Sequence, residues 1–227
     1  MEDKQHETSQ HVGSMFNIFR FHGHSDLINC SSYSHTDNSL ITGSADRKIK
    51  LWDIEKGICT KSFSGFSSCL SLDSLPYGSL MVSGHNDGSI KFWTPRQKEF
   101  IQQMQPHESP VTSVNFTSDG RYCLTTSLDH TVKLIDVKQF EELGVFEHDK
   151  YINGSRTSLS GISPCGDFAV FGSKNGSVFV IKLKYNELEL EEIHVGEHSC
   201  CVNICDWQPG GGSFTTADSN GNFIIWQ

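Results

Sequence analysis

The sequence predicts an all-β fold, a propeller of about five four-stranded blades that forms either a complete ring or part of a seven-bladed one. Three observations predict it. Short apolar runs that suit strands alternate with turn residues along most of the 227 residues. A set of polar and aromatic residues recurs at a fixed spacing. With 36% hydrophobic residues, a chain of this length can bury one sizeable core as a single all-β domain.

The recurring set centres on an Asp or Asn that stands six residues before a Trp or Ile. The pairs are Asp46 with Trp52, Asp87 with Trp93, Asp129 with Ile135, Asn175 with Ile181, and Asn220 with Trp226. A His stands twenty-two residues before the Asp or Asn of the first, third and fifth pairs, at His24, His107 and His198. With the Thr-Gly-Ser and Trp-Asp steps of the first repeat, this spacing is typical of WD repeats, each a four-stranded propeller blade.

These residue types predict a hydrogen-bond relay inside each blade. A turn carboxylate can accept from the imidazole, which bonds a hydroxyl, which reaches the indole N–H. The candidate relays are His24, Thr42, Asp46 and Trp52, then His107, Thr125 and Asp129 with Ile135 ending the relay early, then His198, Thr216, Asn220 and Trp226. Each such bond contributes about 1 kcal/mol, and buried polar groups require partners, so the predicted role is structural.

Two repeats depart from the pattern. Phe66 replaces the His of the second repeat, and His148 stands farther from Asn175 in the fourth, which predicts a longer loop there.

Taken in order, residues 1–15 are polar and aperiodic, and they predict a disordered arm before a propeller domain at 16–227. Residues 16–21 alternate as a strand does. We expect this strand to be the outer strand of a blade whose inner strands come from the chain's other end, at 223–227. The two ends would then complete one blade, close the ring and remove exposed edges.

The remaining strands follow blade by blade. They are predicted at 27–33, 39–44, 49–53 and 58–63, at 70–74, 79–85, 89–93 and 100–104, at 111–116, 122–127 and 132–136, at 158–163, 168–173 and 177–181, and at 202–207, 213–217 and 222–226. The turn Asn86-Asp87-Gly88 supplies the positive-φ residue that tight hairpins need. Residues 187–192 alternate Glu and Leu and predict a solvated outer edge strand, with an acidic docking edge as the alternative.

Composition excludes several functions. A formal charge of −9 argues against a broad nucleic-acid surface and against direct binding to anionic membranes, so any membrane role is expected to run through a partner. Eight cysteines without a Cys-x-x-Cys pair, no secretory signal and no apolar run near 18 residues indicate a reduced, cytoplasmic chain with thiols packed as small hydrophobes.

No catalytic, metal or cofactor site is predicted. His and Asp recur once per repeat, whereas a catalytic triad is a single constellation. The sequence has no G-x-S-x-G elbow, Gly-rich phosphate loop or H-E-x-x-H. Cys201 and Cys205 could share a strand face, but a closed zinc site needs four ligands.

A partner-binding face is predicted instead. In a propeller, the loops between second and third strands and the loops leading into first strands gather on one face. The predicted partner-binding residues are Leu27, Asn29, Ala45, Asn86, Pro110, Thr112, Leu128, Lys174 and Asn203. We expect Leu27 and Leu128 to be exposed apolar anchors for proteins or peptides.

Several runs resemble one family. Gly43-Ser44-Ala45-Asp46-Arg47-Lys48, Gly65-Phe66-Ser67-Ser68-Cys69, Val82-Ser83-Gly84-His85 and the Trp-less Lys133-Leu134-Ile135-Asp136-Val137 are similar to the WD-repeat half of autophagy-related protein 16-like, over about 19–227. The resemblance implies a non-catalytic scaffold that helps conjugate a ubiquitin-like modifier to membrane lipid. It implies a propeller that recruits receptors and conjugation machinery, on autophagic or endosomal membranes through partners. The family's coiled coil is missing from this sequence, and five repeats stand where the family has seven.

Two alternatives stay open. A general WD adaptor, such as a ubiquitin-ligase substrate receptor or a trafficking coat subunit, would share the same repeats. A phosphoinositide-binding propeller is disfavoured because the Phe-Arg-Arg-Gly of that class is missing.

Overall fold

Five antiparallel sheets make up the computed structural model, which describes residues 20–34, 38–75, 79–184 and 187–227. The predicted disordered arm at 1–15 and most of the predicted strand at 16–21 lie outside the described residues. Arg20 and Phe21 are described and lie outside any strand. Closure of the ring by that strand therefore stays a prediction.

The first two sheets follow the predicted blades closely. Blade 1 has β1 Ile28–Ser34, β2 Ser39–Ser44, β3 Lys48–Asp53 and β4 Ile58–Ser64. Blade 2 has β5 Cys69–Ser74, β6 Met81–His85, β7 Ile90–Trp93 and β8 Gln102–Met104. In both, each strand pairs with the next along the chain. The predicted turn residue Gly88 has φ of 82°, as a tight hairpin requires.

The other three sheets share this up-and-down order. Blade 3 has β9 Val111–Phe116, β10 Tyr122–Ser127, β11 Val132–Asp136 and β12 Glu141–Phe146. Blade 4 has β13 Gly161–Ile162, β14 Phe168–Gly172, β15 Val178–Lys184 and β16 Glu187–His194, and blade 5 has β17 Val202–Trp207, β18 Phe214–Asp218 and β19 Phe223–Trp226. The acidic segment forms β16, the outermost strand of blade 4, so its prediction as an outer edge strand is confirmed.

One predicted strand is much shorter than expected. The strand predicted at 158–163 is reduced to Gly161–Ile162. Leu159 instead pairs in parallel with Ile204 of the neighbouring blade, and its N–H donates to Asn203 O at 2.7 Å. The first half of the segment has therefore been recruited into a contact between blades, which a single-blade pattern does not reveal.

The core lies between the blades. Each of four apolar clusters joins one blade to the next, so the sheets of blades 2, 3 and 4 bury both faces. Ile49 and Met81 belong to the cluster between blades 1 and 2, Phe92 and Val114 to the next, Leu134 and Phe171 to the third, and Val178 and Val202 to the fourth. Within the described ranges, no such cluster joins blade 5 to blade 1.

The five blades surround a common axis. A cavity of about 490 Å³ is lined by the first strand of blades 1, 2, 3 and 5 and by the segment leading into that of blade 4. Its polar lining includes Asn29, Ser71, Ser113, Ser160 and Asp206. This radial order is the architecture of a propeller, as the repeat spacing predicted.

Small residues set the distance between neighbouring blades. A Cβ at Gly172 would lie 2.5 Å from Val202 Cβ and 2.6 Å from Val202 O, and one at Gly84 would lie 2.7 Å from Val111 Cγ1. Both glycines occupy the same place near the end of the second strand. The next blade can approach this closely only because no side chain stands between them.

We expect Gly172→Ala to push blades 4 and 5 apart and to lower the free energy of unfolding by about 1–3 kcal/mol, the usual cost of overpacking. Urea unfolding of the variant and the unmodified chain measures the difference. Gly212→Ala is the matched control, because no heavy atom lies within 4 Å of a Cβ there. Equal losses from both substitutions would contradict the close approach.

Candidate functional site

The relay of blade 1 is built as the sequence predicts. His24 Nδ1 lies 2.9 Å from Asp46 Oδ2, and His24 Nε2 lies 2.8 Å from Thr42 Oγ1. Trp52 Nε1 donates to Thr42 Oγ1 at 2.8 Å. Since an indole only donates and a carboxylate only accepts, the direction runs from indole to hydroxyl to imidazole to carboxylate. The His24 tautomer with its proton on Nδ1 follows from these partners.

Blade 3 repeats the arrangement without the indole. His107 Nδ1 lies 2.9 Å from Asp129 Oδ2 and His107 Nε2 lies 2.8 Å from Thr125 Oγ1. Burial alone would raise the pKa of Asp129, but hydrogen bonds from His107 and Thr131 outweigh it and hold that pKa well below its usual range. Ile135 stands in the place of the Trp, as expected, and packs in the apolar cluster between blades 2 and 3.

In blade 5 the structure corrects the predicted relay. His198 Nε2 lies 2.7 Å from Thr216 Oγ1, which accepts from Trp226 Nε1 at 2.9 Å. The carboxylate is Asp218 Oδ2, 3.0 Å from His198 Nδ1, and not Asn220. Asn220 is exposed and donates its backbone N–H to Asp218. Hydrogen bonds to Asp218, that from the Asn222 side chain first, hold its pKa below the ordinary range.

Blade 2 keeps a relay although Phe66 occupies the place of the loop His. His85, at the end of β6, supplies the imidazole. Its Nε2 lies 2.8 Å from Ser83 Oγ, which accepts from Trp93 Nε1 at 2.7 Å. Its Nδ1 lies 3.2 Å from Ser67 O, so a backbone carbonyl replaces the carboxylate. Burial, helped by the charge of Lys91, lowers the pKa of His85 to about 4.

Blade 4 replaces the relay with aromatic rings. Tyr151 fills the space beside Phe171 and Phe179, with ring centroids 4.9 and 5.6 Å away. His148 packs on Phe179 at 5.5 Å and accepts from Lys150 N, whereas Asn175 donates to Lys150 O. The longer loop predicted from the His148 spacing is thus present, and burial raises the pKa of Tyr151 far above its ordinary value.

Five repeated backbone bonds assemble the predicted partner-binding face. In each blade, a residue one or two positions after the second strand donates its N–H to the carbonyl of a residue ahead of the first strand. The pairs are Ala45 to Leu27 at 2.8 Å, Asn86 to Ser68 at 2.9 Å, Leu128 to Pro110 at 3.0 Å, Lys174 to Ile152 at 2.8 Å and Ser219 to Cys201 at 3.0 Å. The two loop families therefore lie side by side on one surface, which we call the loop face.

The predicted partner-binding residues differ in exposure on this face. Leu27, Asn29 and Lys174 are exposed, whereas Ala45, Asn86, Pro110 and Asn203 are partly buried. Two expectations were wrong. Thr112 is fully buried, so it cannot contact a partner. Its hydroxyl forms a hydrogen bond with the Thr126 hydroxyl and accepts one from Asn153 Nδ2 at 2.8 Å. Leu128 is partly buried and so is not the exposed anchor expected.

Other side chains strengthen the apolar character of the loop face. Phe66 is 71% exposed, close to the 73% of Leu27, and Ile152 is also exposed. Phe66 has a φ of 63°, in the left-handed region that bulky residues rarely adopt. Buried Lys91 donates from Nζ to Gly65 O and lies 5.9 Å from the Phe66 ring centroid, which fixes the loop from below. The available sequence signal was the aromatic residue in the place of the loop His.

Charges on the loop face are mixed. The exposed residues in its loops include Lys174, Arg47 and Arg156 as well as Asp26 and Glu108. Within the described ranges, no three His, Cys, Asp or Glu side chains come together to hold a metal ion. Nor does any helix among those residues have the length and apolar character needed to cross a membrane.

The sequence matches one protein family, the WD domain, G-beta repeat, over residues 16–53, 57–94 and 98–136. Protein tipD of Dictyostelium discoideum is 36% identical over 195 residues, 84% of this chain and 32% of that protein. Autophagy-related protein 16 of Arabidopsis thaliana is 31% identical over 210 residues, 90% of this chain and 40% of that protein. This chain thus resembles the WD-repeat region of autophagy-related protein 16 and spans well under half the length of these two relatives.

A general WD relative is also similar. The guanine nucleotide-binding protein subunit beta of Arabidopsis thaliana is 28% identical over 216 residues, 90% of this chain and 57% of that protein. The family match ends at residue 136. Blades 4 and 5, which follow it, are assigned as blades because the structure shows the same sheet order there.

We expect Asp218→Ala to destabilise the fold by about 1–3 kcal/mol, because it leaves the buried Nδ1–H of His198 without an acceptor. Asn220→Ala is the matched control, since Asn220 is exposed and such changes usually stay within about 0.5 kcal/mol. Thermal and urea unfolding of both variants measures the ranking. A larger loss from Asn220→Ala would restore Asn220 as the relay residue.

His85 predicts a specific pH dependence. Its pKa in the fold, about 4, lies below the ordinary 6.5, so its contribution to stability is complete above pH 6.5 and is lost as the pH falls towards 4. His85→Gln keeps a donor and an acceptor but does not titrate. The free energy of unfolding of the unmodified chain minus that of the variant should therefore drop by up to about 3 kcal/mol from pH 7 to pH 4.

The subtraction matters because buried Asp73 acts in the opposite direction. Burial raises the pKa of Asp73 to about 6, so its protonation favours the fold as the pH falls through that value. This contribution is common to both proteins and cancels in the difference. A difference that stays constant between pH 7 and pH 4 would show that His85 is not held neutral by its surroundings.

Proposed function

Because this chain belongs to the WD-repeat family, whose matched repeats cover about half of its length, we propose that it is a non-catalytic scaffold that binds proteins or peptides on its loop face. Residues 16–227 act as one propeller unit in this proposal. The scaffold presents a rigid surface and leaves its partners chemically unchanged.

The observation that carries the proposal is the apolar rim of the loop face. Leu27, Phe66 and Ile152 are exposed there, each in a loop leading into a first strand, on blades 1, 2 and 4. Exposed apolar residues grouped on one surface indicate a binding site, and aromatic anchors contribute most to such sites. Asn29, Asn86, Lys174 and Asn203 supply polar contacts around them.

The finer proposal places the scaffold in autophagy. The similarity to autophagy-related protein 16 supports partners drawn from the machinery that conjugates a ubiquitin-like modifier to membrane lipid, and from receptors that this machinery serves. The net charge of −9 favours an indirect route to the membrane. We propose a cytoplasmic protein that reaches autophagic or endosomal membranes through its partners.

A general WD adaptor is the second candidate. The similarity to a guanine nucleotide-binding protein subunit beta extends over most of this chain and concerns the shared propeller. In this case the partners would be subunits of a ubiquitin ligase or of a trafficking coat.

The test is affinity capture with the full 227-residue chain and with Phe66→Asp and Leu27→Asp variants. We expect the unmodified chain to retain conjugation enzymes of the ubiquitin-like modifier, detected by immunoblot, and each variant to retain at least about tenfold less, as loss of a 1.4 kcal/mol anchor produces.

Ile58→Asp is the matched control, because Ile58 is an exposed apolar residue in the outer strand of blade 1, away from the loop face. Capture of ligase or coat subunits in place of conjugation enzymes would favour the general adaptor. Retention that is unchanged by both loop-face variants would contradict the proposed surface.

A further inference from the structure

Two cysteine thiols meet in the contact between blades 1 and 2. Cys30 lies in β1 and Cys69 opens β5, and their Sγ atoms are 3.7 Å apart. The two residues are 39 positions apart in the sequence, so the packing of one blade on the next brings them together. Both thiols are free. A disulfide has an S–S distance of about 2.05 Å, so the two sulfur atoms need to approach each other by about 1.7 Å to form one.

Gly43 leaves the space in which the two sulfur atoms meet. A Cβ at Gly43 would lie 2.4 Å from Cys69 Sγ and 2.6 Å from Cys30 Sγ. In blade 4 the equivalent Gly172 is covered by Val202 of the next blade, an apolar side chain without reactive atoms. The close approach of neighbouring blades therefore places two thiols over the glycine of blade 1, and no side chain stands between them.

Hydrogen bonds hold the two strands that carry the cysteines side by side. Asn29 Nδ2 donates to Cys69 O at 2.8 Å, next to the two thiols. Farther along the same strands, Ser32 Oγ lies 3.0 Å from Ser74 Oγ. Because the strands are already tied to each other, rotation of the two cysteine side chains is enough to bring their sulfur atoms together.

The two thiols differ in exposure and in acidity. Cys30 is partly exposed and borders the cavity on the common axis, whereas Cys69 is fully buried. The hydrogen bond with Cys30, together with burial, raises the pKa of Cys69 well above its usual range, so Cys69 stays protonated near neutral pH. Oxidation begins at thiols that are accessible and can form a thiolate. An oxidant therefore reaches Cys30 first, and Cys69 is placed to react with the product.

We propose that Cys30 and Cys69 form an oxidation site, a dithiol that hydrogen peroxide converts into a disulfide between blades 1 and 2. First, the Cys30 sulfur attacks one peroxide oxygen, the O–O bond breaks, and Cys30 becomes a sulfenic acid while one water leaves. Then the Cys69 sulfur attacks the Cys30 sulfur, the S–O bond breaks, and the hydroxyl group leaves with the Cys69 proton as a second water. The two thiols are oxidised by two electrons, and the peroxide is reduced to two waters.

Mass spectrometry of the purified 227-residue chain tests the proposal. The reduced chain is treated with hydrogen peroxide, its remaining thiols are blocked with N-ethylmaleimide, and it is digested with trypsin. Cleavage after Lys and Arg places Cys30 in peptide 21–47 and Cys69 in peptide 62–91, each with a single cysteine. We expect these two peptides to be linked at least about tenfold more than any other cysteine-containing pair, because the two thiols are already in contact. Dithiothreitol should remove the link.

Two variants separate the two chemical steps. Cys69→Ser should leave Cys30 as a sulfenic acid, which dimedone labels, whereas Cys30→Ser should lose both the label and the link. Cys59→Ser is the matched control and should leave the amount of link unchanged, because Cys59 is an exposed thiol in the outer strand of blade 1. In concentrated urea the preference for the pair should disappear, since the unfolded chain lacks the contact between blades.

Three results would overturn the proposal. One is that Cys30 and Cys69 stay unlinked at peroxide concentrations that oxidise the exposed Cys59. Another is a link of equal yield in the folded and the unfolded chain. The third is oxidation of Cys30 to a sulfinic acid while Cys69 remains a free thiol. Circular dichroism before and after treatment shows that the reaction took place in the folded chain.

Discussion

The relay from indole to carboxylate is the constraint on which the loop face depends. It ties a loop residue, His24, to the second strand through Thr42 and to the turn after it through Asp46. An unpaired imidazole or carboxylate in this place would cost about 1–3 kcal/mol. The relay therefore holds two loops against the blade edge in one arrangement. The repeated backbone bonds, such as Ala45 N to Leu27 O, then align the loop residues that a partner would meet.

The same constraint explains how the irregular blades remain folded. The residue after the small residue near the end of the second strand is Ser in blades 1, 3 and 4, but His85 in blade 2 and Asp218 in blade 5. Blade 2 lacks the loop His and takes its imidazole from this position, whereas blade 5 lacks the turn Asp and takes its carboxylate from it. One position thus supplies whichever group is missing. Blade 4 has neither the imidazole nor the carboxylate of a relay. The Tyr151 ring takes their place by packing in the apolar cluster between blades 3 and 4.

The sequence predicted the features that recur at a fixed spacing and missed the contacts that occur in a single blade or between two blades. The first three strands of blades 1, 2, 3 and 5 follow from the recurring residues, because each interval between them spans one strand and turn. The outer strand of blade 3, Glu141–Phe146, was not predicted. The spacing could not show that Asp218, and not Asn220, supplies the carboxylate of the blade 5 relay. Both residues stand near the same turn, and only the direction of their side chains separates them. The burial of Thr112 was missed because its partners, Thr126 and Asn153, lie fourteen and forty-one residues away. The shortened strand at Gly161–Ile162 depends on a neighbouring blade in the same way.

A propeller consists of blades arranged around an axis and held together by contacts between neighbouring sheets, so its stability depends on how many of those contacts are made. Four are complete here, and the apolar surface buried in them is what makes each sheet stable, since an isolated sheet would expose both faces. The faces of blades 1 and 5 that lie outside these four contacts are different, because Ile28 on blade 1 and Phe223 and Ile225 on blade 5 are exposed at positions that blades 2, 3 and 4 bury.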